Sequence, residues 1–140
     1  MIGARRAVGS CGIVGGSGGL GMRTILLVDD SPLVLHAVTR RLRAAGLEVR
    51  AAATIAAARA VDVTAIACAV VDIDLPDGSG VTFAAELLAA RPGLPVAFFT
   101  ATSSTSEVKK AVALGPVLHK PDVDALVAWA TRAAQPPPTK

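Results

Sequence analysis

Five residues of this chain have the types, and follow the kind of apolar run, that phosphoryl chemistry requires. They are Asp29 and Asp30, Asp72, Thr100 and Lys120. Three carboxylates gathered at one place repel one another and raise one another's pKa values, so such a cluster makes best sense around a divalent cation. Mg²⁺ suits it, because that ion takes one or two carboxylates together with water and phosphate oxygens. With the acids neutralised, a carboxylate can attack phosphorus and form an acyl phosphate. An ammonium such as that of Lys120 and a hydroxyl such as that of Thr100 would then face the phosphoryl oxygens.

These residues share a site only if the chain folds so as to bring strand ends together. Thr24 to Val28 (TILLV) is an apolar run of strand length that ends at the acid pair. Ser31-Pro32 opens a helix with Val34, Val38 and Leu42 on one face, stopped near Gly46. A second strand is expected from Leu47 to Ala52, and Thr54 caps a short helix to about Val61. Ile66 to Ile73 (IACAVVDI) reads as a fully buried strand, and Leu75 to Gly80 has loop chemistry throughout. Val81 to Ala90 reads as a helix, Pro95 to Thr100 as a strand, and Glu107 to Leu114 as the next helix. After Gly115-Pro116 come a short strand, Val117 to His119, and a last helix from Asp122 through Trp129. Strands alternating with helices specify an α/β fold: a doubly wound, five-stranded parallel sheet with helices on both faces. Ligands bind such sheets at the carboxyl ends of the strands, where all five candidate residues fall.

In these motifs the sequence resembles the receiver domains of bacterial response regulators. ILLVDDSP is similar to that family's first strand and acidic pair, and VVDIDLPDGSG to its phospho-acceptor strand and loop. FFTA is similar to the strand that ends in the switch hydroxyl, and HKP to the lysine and proline that follow the fifth strand. The resemblance covers Met22 to about Ala133. It implies the flavodoxin-like strand order 2-1-3-4-5, with Asp72 as phospho-acceptor and Mg²⁺ held by Asp29, Asp30, Asp72 and the backbone carbonyl of Asp74. It further implies that Thr100 and Lys120 contact the phosphoryl group and that Ala101 leaves room for it. The implied partners are a sensor histidine kinase or phosphotransfer protein and an unidentified downstream protein, in the cytoplasm. The chain departs from the family at Val117, where an aromatic switch residue is usual, and in a link from Gly115 to Lys120 about two residues shorter than the pattern.

The organisation expected is a flexible Gly-rich leader over 1–21, one receiver domain over 22–134 that acts alone, and a Pro-rich tail over 135–140. With 52% hydrophobic and 18% charged residues, the chain is neither disordered nor membrane-spanning in composition. Beyond the leader, twelve basic residues face eleven acidic ones, and aromatics make up only 3%, so nothing suggests a nucleic-acid partner. Cys11 and Cys68 have no metal-ligand spacing, and Cys68 reads as a small buried hydrophobe. Gly16 to Gly21 matches the dinucleotide fingerprint, but it precedes the first strand instead of following one. His36 and His119 receive no role. Two competing functions remain: a receiver-like interaction module that works without phosphorylation, and a phosphatase using Asp72-Ile73-Asp74 as a D-x-D motif. The principal reading is a signalling domain that is not an enzyme beyond its own phosphorylation and dephosphorylation.

Overall fold

The computed structural model of the chain describes residues 23–135. The leader with Cys11 and the Gly16 to Gly21 motif lies outside the described residues, as does the tail from Pro136. Five parallel strands form one sheet: β1 (Thr24–Val28), β2 (Glu48–Ala52), β3 (Cys68–Val71), β6 (Val96–Thr100) and β7 (Val117–His119). Their order is β2-β1-β3-β6-β7, which is 2-1-3-4-5 when only these strands are counted. This is the doubly wound sheet that the alternating pattern dictates.

Side-chain alternation along the strands divides the core in two. Leu26, Val28, Val71 and Phe98 face one way, where they pack with Ile55, Ala58, Val81, Phe83, Ala84, Leu87 and Ala111. Those residues come from or adjoin helices α2 (Ile55–Arg59), α3 (Gly80–Ala90) and α4 (Thr105–Val112). Ile25, Leu27, Val70 and Phe99 face the other way. Helices α1 (Pro32–Ala44) and α5 (Val123–Ala133) cover that side through Val38, Leu42, Leu126 and Ala130. Because both faces are buried, the central strands read as unbroken apolar runs rather than as alternating ones. Trp129 packs half-buried against the same cluster, Cys68 is wholly buried, and burial pushes the Cys68 thiol up to about 12.

Several boundaries differ from the sequence reading. The stretch from Leu75 to Gly80 is not loop throughout, because Asp74–Leu75 (β4) and Gly78–Ser79 (β5) pair as a small antiparallel hairpin. Helix α4 begins at Thr105 because Ser104, not the residue before Glu107, is the cap that accepts an N–H. Helix α5 continues past Trp129 to Ala133, since Ala130 and Ala134 extend the buried stripe begun by Leu126. Gly115 admits the last strand: a Cβ there would lie 1.9 Å from the Val96 carbonyl oxygen, so only glycine lets the chain pass the end of β6.

Candidate functional site

The parallel ladder carries the acids to one rim. The Asp29 N–H donates to the Ala52 carbonyl (3.0 Å) and the Asp72 N–H to the Val28 carbonyl (2.8 Å), so both residues extend the sheet by one step beyond their strands. Their side chains are almost wholly buried, with Asp29 1% and Asp72 5% exposed. Each carboxylate is held by a donor from the turn that follows. Asp29 Oδ1 accepts the Ser31 N–H (2.9 Å), and Asp72 Oδ1 accepts the Asp74 N–H (3.3 Å). Asp30 stands exposed beside them, and carboxylate oxygens of Asp29, Asp30 and Asp72 lie within 4.8 Å of one another.

Lys120 enters from the far side of the sheet. Its backbone N–H donates to the Thr100 carbonyl (3.0 Å), continuing the ladder past β7, and a cis peptide joins it to Pro121. Its Nζ lies 2.8 Å from Asp29 Oδ2 and 3.0 Å from Asp72 Oδ2, bridging the two buried acids. Burial works against the Lys120 ammonium, but the hydrogen bonds to Asp29 and Asp72 outweigh it and hold its pKa above the ordinary value. For Asp29 the balance runs the other way. Burial dominates and raises its pKa, with the Asp72 charge adding to the rise, against the lowering by Lys120 and the Ser31 N–H.

Thr100 is wholly buried at the end of β6, next to β3 and opposite His119 of β7. Its Oγ accepts the Thr102 N–H (3.2 Å), which leaves the hydroxyl proton free to be donated elsewhere. Ala101, the residue after Thr100, is exposed, and so are His36 and His119. The structure therefore brings Asp29, Asp72 and Lys120 into contact, sets a carboxylate oxygen of Asp30 within 4.8 Å of those of the two acids, and leaves Thr100 at the adjoining strand end.

The hairpin after Asp72 is fixed at two points, of which the sequence reading did not single out the first, Asp77. Asp77 reaches back 22 positions, and its two carboxylate oxygens accept the N–H groups of Ile55 (2.9 Å) and Ala56 (3.0 Å) at the start of α2. No local spacing announces such a bond. These N–H bonds hold the Asp77 carboxyl below its ordinary pKa, so the stabilisation is fully present above the unfolded value of about 4 and is lost as pH falls through the lower folded value. Asp77→Ala is accordingly expected to lower the urea midpoint at pH 7, with the difference from the unaltered chain shrinking as pH falls below the unfolded value of about 4.

Gly80 is the second fixed point. Its N–H donates to the Ile73 carbonyl (2.8 Å), and a Cβ at this position would lie 1.9 Å from the Asp72 carbonyl oxygen and 2.9 Å from a Val71 methyl. Gly80→Ala must push α3 away from the end of β3. A loss of about 3 kcal/mol is expected in denaturant unfolding, together with displaced Asp72 and Asp74 amide resonances.

Comparison with known proteins agrees with this geometry. Residues 25–130 match the model of the response regulator receiver domain. The chain is 35% identical over 88 residues to "Probable transcriptional regulatory protein TcrX" of Mycobacterium tuberculosis, covering 60% of this chain and 36% of that protein. It is 31% identical over 122 residues to the photosynthetic apparatus regulatory protein RegA of Rhodovulum sulfidophilum, covering 82% of this chain and 67% of that one. Thus it spans about a third of TcrX and two thirds of RegA. Among solved structures, the CheY-like response regulator receiver domain protein of Methanospirillum hungatei superposes with a TM-score of 0.74 at 25% identity, covering 81% of this chain and 94% of that one. The strand order, the acidic rim and the family match over residues 25–130 agree, and the chain belongs to the response regulator receiver domains of two-component signalling systems.

Proposed function

We propose that Asp72 accepts a phosphoryl group from a phosphohistidine of a sensor kinase or phosphotransfer protein, in the cytoplasm, and that the phosphorylated domain signals through a protein-binding surface. The observation that carries this reading is the Lys120 ammonium bridging Asp29 and Asp72 at 2.8 and 3.0 Å, with a carboxylate oxygen of Asp30 within 4.8 Å of those of both acids. The donor set consists wholly of hard carboxylate oxygens, which fits Mg²⁺ and disfavours softer ions. Asp29, Asp30 and Asp72 would hold the ion together with the Asp74 carbonyl. When bound, Mg²⁺ supplies neutralising charge to the acids and to the phosphoryl oxygens.

The rest is performed by the chain. A carboxylate oxygen of Asp72 attacks phosphorus in line, the P–O bond forms, and the N–P electron pair leaves with the imidazole, which takes its proton from water. Lys120 shifts its charge from the Asp72 carboxylate onto a phosphoryl oxygen without leaving the site. Thr100, still accepting from the Thr102 N–H, donates its free hydroxyl proton to another. The Asp74 N–H and the Gly80 close contact keep the acceptor carboxylate aimed along the rim. Burial of Asp29 and Asp72 lets these fixed charges act without competition from bulk water.

A second reading is favoured by Val117, which packs half-buried against the core on the α4 side, where the family usually has an aromatic residue. In that reading the domain binds partners regardless of phosphorylation. The two are separated by incubating the chain with Mg²⁺ and a small acyl phosphate and measuring intact mass. Gain of one phosphoryl group on the peptide containing Asp72 supports the first reading, and an unchanged mass supports the second.

A further inference from the structure

Helix α4 begins with the pattern of a capping box, Ser104-Thr105-Ser106-Glu107. In that motif the cap hydroxyl accepts the N–H three residues on, and the acid at that position turns back to accept the cap's own N–H. Only the first half has that form here. Ser104 Oγ accepts the Glu107 N–H (3.4 Å), but the Ser104 N–H donates instead to Thr102 Oγ (3.3 Å). Glu107 is thereby released from local duty, and its Oε1 accepts the Ser79 hydroxyl 28 positions away at 2.7 Å. Ser79 belongs to the hairpin that follows Asp72, and its Oγ also accepts the Val81 N–H (3.1 Å) to cap α3. An unbroken run of hydrogen bonds therefore leads from Thr100 through Thr102, Ser104 and Glu107 to Ser79, returning to the acceptor loop.

The run has two ways of being satisfied. If Thr100 moves toward a phosphoryl group and draws Thr102 with it, the Ser104 N–H loses the Thr102 hydroxyl. Glu107 can then turn back, complete the capping box and let go of Ser79. Each arrangement satisfies the Ser104 N–H and the Glu107 carboxylate, so the exchange costs little and depends on where Thr102 sits. With valine at position 117, this route needs no aromatic rotation.

We propose that Glu107 is a two-position latch, bonded to Ser79 while Asp72 is free and turned back onto the Ser104 N–H once Thr100 engages a phosphoryl group, which unlocks α4 from the hairpin. The inference rests on the phosphoryl-acceptor reading above and adds its regulation. By reciprocity, a change that loosens the Ser79 bond while leaving Glu107 able to turn back also favours phosphoryl binding.

The test is amide hydrogen exchange over 102–112 in the full chain, with and without beryllofluoride and Mg²⁺. Ser79→Asp keeps an acceptor for the Val81 N–H but sets a second carboxylate against Glu107. It is expected to raise resting exchange about ten-fold and to lower the half-saturating beryllofluoride concentration several-fold. Glu107→Ala removes both positions of the latch, so resting exchange should rise without the gain in beryllofluoride affinity. Lys110→Ala, which removes only the 3.4 Å Lys110–Glu107 pair, should change neither quantity. Resting exchange in Ser79→Asp equal to that of the unaltered chain overturns the latch, as does raised exchange with unchanged half-saturation. If the unaltered chain takes up no beryllofluoride, the phosphoryl reading and the coupling both fall, and the resting arm alone decides whether the bond holds α4.

Discussion

An Asp72→Asn variant is expected to fold at least as stably as the unaltered chain and to take up no phosphoryl group. The substitution removes one of two buried carboxylates that share a single ammonium, so Lys120 and Asp29 are left as a simple pair at 2.8 Å. Repulsion between Asp29 and position 72, which contributes to the raised pKa of Asp29, disappears with it. Asn supplies an acceptor to the Asp74 N–H, so the following hairpin keeps its anchor. What it cannot supply is a nucleophilic carboxylate, and incorporation from an acyl phosphate should drop at least about a thousand-fold. Mg²⁺ affinity should weaken too, because one anionic ligand becomes neutral. Calorimetric Mg²⁺ titration and mass spectrometry on the same preparation check both effects. Phosphoryl uptake that survives in this variant would place the acceptor elsewhere.

Lys120→Ala should have the opposite effect on stability and an opposite sign in its response to metal. Without the ammonium, Asp29 and Asp72 face each other buried and unneutralised. Breaking a buried pair in this way typically costs several kcal/mol. Because the Lys120 side chain retains 18% exposure, a loss of about 2 kcal/mol is the expected scale. A divalent cation answers the same electrostatic need, so the variant should bind Mg²⁺ more tightly than the unaltered chain. At a hundred times its dissociation constant, the ion should return about 2.7 kcal/mol. Melting curves with and without Mg²⁺ should therefore lie far apart for the variant and closer together for the parent. The phosphoryl group, by contrast, loses a fixed positive charge, and its transfer should slow about a hundred-fold even at saturating Mg²⁺.

Much of this was legible in the residues before any coordinates. Apolar runs of strand length, each followed by a polar residue, specify parallel strands whose tips share a rim, and Asp29, Asp72 and Lys120 meet there for that reason. Buried central strands are legible because burial on both faces removes polar alternation. What escaped reading is what depends on distant partners. The β4–β5 hairpin looks like loop because Pro76, Asp77 and Gly78 are turn residues. It is ordered by Asp77 bonding to α2 and by Ser79 bonding to α4, over separations of 22 and 28 positions. The capping pattern at Ser104 and Glu107 was present in the sequence, but nothing local shows that Thr102 takes the cap's N–H and sends Glu107 elsewhere. Helix ends were misplaced for a related reason: α5 runs to Ala133 because Ala130 and Ala134 pack, and alanine is a weak periodic signal.

The most direct measurement on the central claim is a fluorine NMR titration of the chain with beryllofluoride, run once with Mg²⁺ and once with chelator. A saturable bound signal is expected that appears only with Mg²⁺, moves the amides of Asp72, Thr100 and Lys120, and is lost in Asp72→Asn. A bound signal of equal strength under chelator, or none at any Mg²⁺ concentration, would contradict that claim.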